Sequence, residues 1–174
     1  MNKDIYNQDY IDYGKGNKVH NTAIIGENVK MGSNNVVMPF AVIGQMGFIR
    51  GAKSNDGEVV IGDNNVIGCH AVIMTGMDGN TVIGNDNMIM NYCNIGHNVK
   101  IGNDNEIGAK TIICGHTTIG DHNKIKVSCA IRNRLNIGSY NVVGMGSNVM
   151  NDICDNTAVF GNPATVVDGV HSSL

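Results

Sequence analysis

From Ile83 onward an apolar residue returns at every sixth position: Ile83, Ile89, Ile95, Ile101, Ile107, Ile113, Ile119, Ile125, Ile131, Ile137, Val143 and Val149. The following position is Gly in seven of these twelve hexads, and the fifth is usually small or polar, as in Asn87, Cys93, Asn105, Thr111 and Thr117. A longer period overlies the short one. IGNDN (83–87), IGNDN (101–105), IGDHN (119–123) and IGSYN (137–141) recur at every third hexad, so three hexads make one coil. The same signature occurs earlier as MGSNN (31–35) and IGDNN (61–65), at spacings of 30 and 22, which gives the early coils extra segments of twelve and four residues near 45–58 and 74–81. The pattern predicts an all-β parallel β-helix of about six coils with two loop insertions. At a strand spacing of about 4.8 Å such a prism is about 29 Å long, with the aliphatic column filling its interior.

Residues 1–19, with Tyr6, Tyr10 and Tyr13, lie outside the repeat as an N-terminal extension. The repeat domain covers 20–166, and 167–174 form a C-terminal tail. A solenoid must cap its open ends or associate, so an oligomer is expected, and either terminal segment is placed to act as a cap. Asn87, Asn105, Asn123 and Asn141 share one place in successive coils, joined by Asn35 and Asn65. They are expected at corners, because Asn tolerates the left-handed backbone and its amides stack.

Composition narrows the function. Among 174 residues there are 26 Asn, 23 Gly, five Tyr, three Phe and no Trp, so the core must be Ile, Val and Met. Fifteen acidic and twelve basic residues give −3, which predicts neither nucleic acid nor an anionic membrane as a partner. No apolar run approaches a membrane span or a signal-peptide core, and the first twenty residues are polar, which predicts a cytoplasmic location. Cys69, Cys93, Cys114, Cys129 and Cys154 contain no C-x-x-C and read as small buried hydrophobes.

Of the six histidines, His20, His70, His122 and His171 read as ordinary surface or satisfied core residues. His97 and His116 differ. They occupy the third and fourth positions of one hexad column, in hexads one coil apart, and so share a face in adjacent coils. A positioned imidazole suits general-base chemistry at neutral pH. His116 and His122 are six apart, point outward on different faces and cannot share an ion within one chain. Arg134 follows His116 by one full coil and stacks beside it, and Lys124, Lys126 and Arg132 lie nearby, so a phosphate clamp and a solvated edge are both open readings. Gly115 allows close approach of a ligand, and its N–H is a candidate oxyanion donor.

The stretch NYCNIGHNVKIGNDNEIGAKTIICGHTTIGD (91–121), with IGHN followed by CGH, resembles the acyltransferases of lipid A biosynthesis: UDP-N-acetylglucosamine O-acyltransferase and its N-acyltransferase relative. The segment IGQMGFIRGAKSNDGEVVIGD (43–63) resembles the excursion of the first in position and length, and the likeness covers roughly residues 20–165. It implies a left-handed β-helix, a homotrimer, a catalytic base at His97 with Asn98 beside it as in the N-acyltransferase branch, an oxyanion donor at Gly115 and a donor- or substrate-contacting His116. Three positions depart from the pattern: Asn94, Met74 and Arg132 stand where histidines are expected, the first two on the substrate side. The likeness extends to neither the C-terminal helical domain of the O-acyltransferases nor the uridine-binding domain of the N-acyltransferases. The tail FGNPATVV (160–167) resembles that of hexapeptide acetyltransferases, which implies acetyl-CoA or another acyl-CoA as donor, with acyl carrier protein as the alternative.

The function expected is acyl transfer to a hydroxyl or amine of a sugar or sugar nucleotide without a metal. Arg132 and Arg134 would meet CoA phosphates beside Gly115 and His116, while Asn94, His70, Met74 and Arg50 would contact the acceptor. Two other readings stand beside it. One is a γ-carbonic-anhydrase-like metal-dependent hydratase, whose H-x-x-x-x-H spacing is missing, and the other is a non-catalytic scaffold.

Overall fold

The computed structural model describes residues 9–47 and 57–167. Its regular structure is all strand, and three sheets wrap one core. The second sheet has seven parallel strands, from Ile24–Ile25 to Asn148–Val149, and the third has six, from Val29–Met31 to Asn136–Ile137. The first has ten, eight of them parallel coil strands and the outermost two antiparallel. Among the described residues no helix is long and apolar enough to cross a membrane.

Most strands are two residues long because each hexad spends its other four residues turning. The second residue of each short strand points inward, and successive coils stack like on like: Ile83 on Ile101, Ile101 on Ile119, Ile119 on Ile137. These side chains are essentially buried, and together with Val, Ala, Leu135 and two cysteines they form one continuous left-handed β-helix core. From Ile73 to Ile83 the chain takes ten residues, whereas the register-matched step from Ile95 to Ile101 takes six, and residues 75–80 carry the difference outward as a loop.

The coils number about seven rather than six. The extra one is C-terminal, built from Val142–Val143, Asn148–Val149 and a bridge from Ile153 to Ile137. Its closing hexad arrives two residues early, and the signature there reads ICDNT (153–157), with Cys in place of Gly and Thr in place of Asn. An antiparallel hairpin closes each end of the first sheet, Tyr10–Asp12 on Lys18–His20 and Ala164–Val166 on Ala158–Gly161. Cys93 and Cys129 are buried as expected, and burial pushes the Cys93 thiol up to about 11. Cys69 and Cys114 are half-buried and Cys154 is exposed, because their positions lie on the outer surface of the turns.

The asparagine column is an amide ladder, but its members are not the left-handed residues. Those precede them: Asn34, Asn64, Asp86, Asp104, His122 and Tyr140 have φ between 52° and 60°. Each turn needs one such residue, and the Asn after it turns inward. Oδ1 of Asn87 accepts both the backbone N–H and the Nδ2–H of Asn105, at 3.0 Å each, and Oδ1 of Asn105 does the same for Asn123 at 2.9 and 3.0 Å. The ladder extends from Asn17 to Asn141, where the Thr157 N–H caps it at 2.7 Å.

These amides are buried, so a missing rung leaves donors with no water to replace it. Asn105→Ala strips two buried donors of Asn123 of their acceptor and is expected to cost about 3 kcal/mol. The urea midpoint should fall at unchanged slope, and Asn105→Asp, which keeps the acceptor, should lose less. A loss below about 0.5 kcal/mol in the alanine variant would show that the ladder is dispensable.

Candidate active site

The corner between the second and third sheets carries Asn98, His116 and Arg134 at its left-handed positions, with φ of 58°, 60° and 61°. Stacking follows from the coil period: His116 N–H donates to the His97 carbonyl at 3.0 Å, and Arg134 N–H to the Gly115 carbonyl at 3.1 Å. The rings of His97 and His116 meet edge to face, 5.0 Å between centroids and 86° between planes. His97 is half-buried, Asn98 and Gly115 are buried, and His116 is half-buried.

Gly115 is a requirement of the His97 position. A Cβ there would lie 2.6 Å from His97 Nε2 and 2.7 Å from Cε1, so the ring can lie across the next coil only because that residue has no side chain. On the other side of the ring Nδ1 is 2.9 Å from Asn98 Oδ1, and the same oxygen accepts the Met77 N–H at 3.0 Å. Asn98 N–H in turn donates to Thr81 Oγ1 at 2.9 Å.

At the ladder corner the third-position amide of each coil is satisfied by a side chain of the next: Asp63 by Asn85, Asn85 by Asn103, Asn103 by Asp121 and Asp121 by Ser139. The equivalent amides here, those of His97 and Gly115, have no hydrogen-bond acceptor among the described residues. Above His97 stands Gly115, which has no side chain to offer. Among the described residues the Gly115 amide N–H is thus left free beside an imidazole nitrogen, a pairing suited to an oxyanion and a proton.

A polar cleft of about 330 Å3 opens next to this point, lined by Asp78, Asn80, Asn98, Lys100, His116 and Thr118. His116 Nε2 is 3.9 Å from Asp78 Oδ1. Desolvation holds the His116 imidazole below its ordinary value, with the Arg134 charge and His97 acting in the same direction and the Asp78 carboxylate opposing them. A larger concavity of about 480 Å3 is apolar and lies on another corner, between Met90, Val142, Met145 and Phe160, away from both histidines.

Thus the structure brings together His97, Asn98, Gly115 and His116, with Arg134 in the next coil. Arg132 is exposed at the end of its strand and shares that coil. Asn94 lies on the outer face of the second sheet between Val72 and Ile112, and Met74 ends a strand opposite Gln45. His70 is placed on a different corner, stacked between Phe40 and Tyr92 with centroids 5.0 and 4.9 Å away. Arg50 lies outside the described residues. Among the described residues no three His, Cys, Asp or Glu side chains converge as a metal site. Met77, Asp78 and Thr81 are the residues sequence reasoning missed. Their signal is only that the 75–80 loop begins two residues after the inward Ile73, at the register of His97.

The electrostatics of His116 can be checked by NMR titration. Its midpoint is expected below the roughly 6.5 of an unperturbed imidazole. Asp78→Asn removes the anion that favours the protonated ring and should lower the midpoint further, while Arg134→Gln should raise it. A midpoint at or above the ordinary value would contradict this account.

Known proteins resemble this chain in its repeats and in its backbone. Residues 80–115 match the family described as bacterial transferase hexapeptide (six repeats). An acyl-(acyl-carrier-protein)-UDP-N-acetylglucosamine O-acyltransferase of Saccharophagus degradans is 28% identical over 90 residues, covering 50% of this chain and 35% of the relative. The protein of the same name from Rickettsia rickettsii is 35% identical over 74 residues, 41% of this chain and 28% of the relative. Among solved structures, the UDP-N-acetylglucosamine acyltransferase of Bacteroides fragilis superposes with a TM-score of 0.84 at 27% identity, covering 87% of this chain and 60% of that one. The chain therefore spans about a third of the length of these curated relatives and three-fifths of the solved chain. In its central repeats and in its backbone, it resembles the hexapeptide-repeat acyltransferases.

Proposed function

We propose that this protein transfers an acyl group from a thioester to a hydroxyl or amine of a sugar or sugar nucleotide, with His97 as general base. The observation that carries the reading is the environment of one ring. Nδ1 faces an amide oxygen, and Nε2 lies over a glycine whose own N–H has no acceptor among the described residues. An acceptor placed against Nε2 gives up its proton as its oxygen or nitrogen attacks the thioester carbonyl. The tetrahedral oxyanion takes the Gly115 N–H. Collapse breaks the C–S bond, and the imidazolium returns the proton to the departing thiolate, so the ring ends as it began.

The relatives are named for UDP-N-acetylglucosamine and acyl carrier protein, which supports a sugar-nucleotide acceptor. The GNPA tail at 161–164 supports acetyl-CoA as donor. In this reading Arg132 and Arg134 meet the CoA phosphates, His116 borders the donor, and the cleft around Asn80 and Thr118 receives a sugar ring. Its walls combine a carboxylate, an ammonium, two amides, an imidazole and a hydroxyl, a set suited to a polyhydroxylated ring. Asn94, Met74 and Arg50 remain the further acceptor contacts proposed from sequence, whereas His70 stands on its own corner between Phe40 and Tyr92, and a homotrimer would wall the open side of the cleft.

Titration with acetyl-CoA, followed by thiol release in the presence of sugar nucleotides, tests the donor and then the acceptor. His97→Ala should lower kcat by about 10²–10⁴ with donor affinity retained. Gly115→Ala should displace the ring and cost about 10² or more in kcat/KM while the protein stays folded. An alanine variant at His97 with full kcat and wild-type mass in solution would remove the assignment.

A further inference from the structure

The two residues that follow Asn98 in this corner show what a left-handed position normally does with its N–H. His116 donates to the carbonyl of His97 and Arg134 to that of Gly115, in each case the residue just before its counterpart in the preceding coil. By that rule Asn98 should donate to a carbonyl near residue 79. It does not, because the chain has left the wall there: residues 75–80 swing out as a loop with four residues more than the regular step. The missing carbonyl is replaced by the hydroxyl of Thr81, which is fully buried, at 2.9 Å.

The same loop returns a backbone donor to the same asparagine. Met77 N–H reaches Asn98 Oδ1 at 3.0 Å. A backbone N–H can only donate, so it fixes which end of the Asn98 carboxamide is the oxygen. That oxygen stands 2.9 Å from His97 Nδ1, and since it can only accept, the ring must donate from Nδ1. Nε2 is then left with its lone pair on the side of Gly115. Without the Met77 N–H the amide could rotate and present Nδ2–H to the ring, which would favour the opposite tautomer and block Nε2 with a proton.

We propose that Thr81 and the Met77 amide are positioning groups for His97, acting through Asn98 to hold the ring in the tautomer whose Nε2 can accept a proton. The loop between the second and third sheets is in this view a tautomer lock, and Asp78, Gly79 and Asn80 of the same loop line the cleft. The catalytic side of this inference rests on the reading of His97 as base; the tautomer itself does not.

The test is ¹⁵N NMR of histidine-labelled protein at about pH 8, where an unperturbed imidazole is neutral, together with steady-state kinetics. Wild-type His97 should show a protonated Nδ1 and a bare Nε2. Thr81→Val, which keeps the volume but removes the acceptor, should give mixed tautomers and lower kcat by about 10-fold with donor KM within about twofold, the scale of a lost supporting hydrogen bond. Thr81→Ser should restore both. Should the valine variant fail to fold, Thr81→Cys supplies a poorer acceptor of similar size. A wild-type ring protonated at Nε2, or a valine or cysteine variant with unchanged tautomer and kcat, overturns the proposal. If no acyl transfer is found but the Thr81 variants still disturb the tautomer, the proposed function fails and the positioning role stands.

Discussion

Everything in this molecule depends on hydrogen bonds that run along the axis from one coil to the next. A two-residue strand makes too few contacts to hold itself, and only the repetition of the same pairing through successive coils makes the wall. The buried asparagines extend that pairing into the corners. From Asn17 to Asn105 each Oδ1 accepts two donors from the next rung, and Asn123 and Asn141 accept one each, so the turns are registered along with the strands. Because the left-handed residue and the ladder residue are adjacent but distinct, one can vary freely outward while the other stays fixed inward. Asn, Asp, His and Tyr all serve at the outward position of the ladder corner, and His122 and Tyr140 use it to stack at 4.6 Å.

The site arises where this satisfaction is withdrawn. At the ladder corner, third-position amides are tied to side chains of the next coil. At the His97 corner glycine stands in the column, the ring takes the space a side chain would have filled, and the amides of His97 and Gly115 have no acceptor among the described residues. The same absence of a Cβ therefore does two things: it admits the imidazole and it frees the donor beside it. A backbone donor without an acceptor, set beside an imidazole nitrogen, is a physical mark of a candidate site that motif spacing alone does not supply.

Much of this is legible in the sequence because a strict period converts spacing into geometry. The column from Ile83 to Val149, the stacked His97 and His116 and the proximity of Arg134 all follow from counting in sixes and eighteens. The reading falters where the period breaks. The seventh coil is short by two residues and carries ICDNT, so it has no signature to count. Spacing places the left-handed residue one position late, since Asn is suited both to that backbone and to the ladder, and only the structure separates the two uses. Thr81 and Met77 are out of reach for a different reason. Their role depends on the path of the 75–80 loop, and a loop that leaves the repeat leaves its arithmetic as well. His70 shows the converse: on its own corner, its stacking partners Phe40 and Tyr92 follow from the same column of left-handed positions, at spacings of 30 and 22.

The partner of His97 is a carboxamide, whereas the charges in this corner, Asp78 and Arg134, act on His116. A carboxylate beside an imidazole both orients it and stabilises the imidazolium, while a carboxamide supplies the orientation with far less of the charge stabilisation. In the proposed acyl transfer this is a workable division. The proton taken from the acceptor has to be delivered to the leaving thiolate within the same catalytic cycle, so a ring held in one orientation and tautomer serves the second half of the reaction as well as the first. On the proposed reading the requirement shifts from charge to aim, and Thr81, Met77 and Gly115 meet the same two residues from three sides.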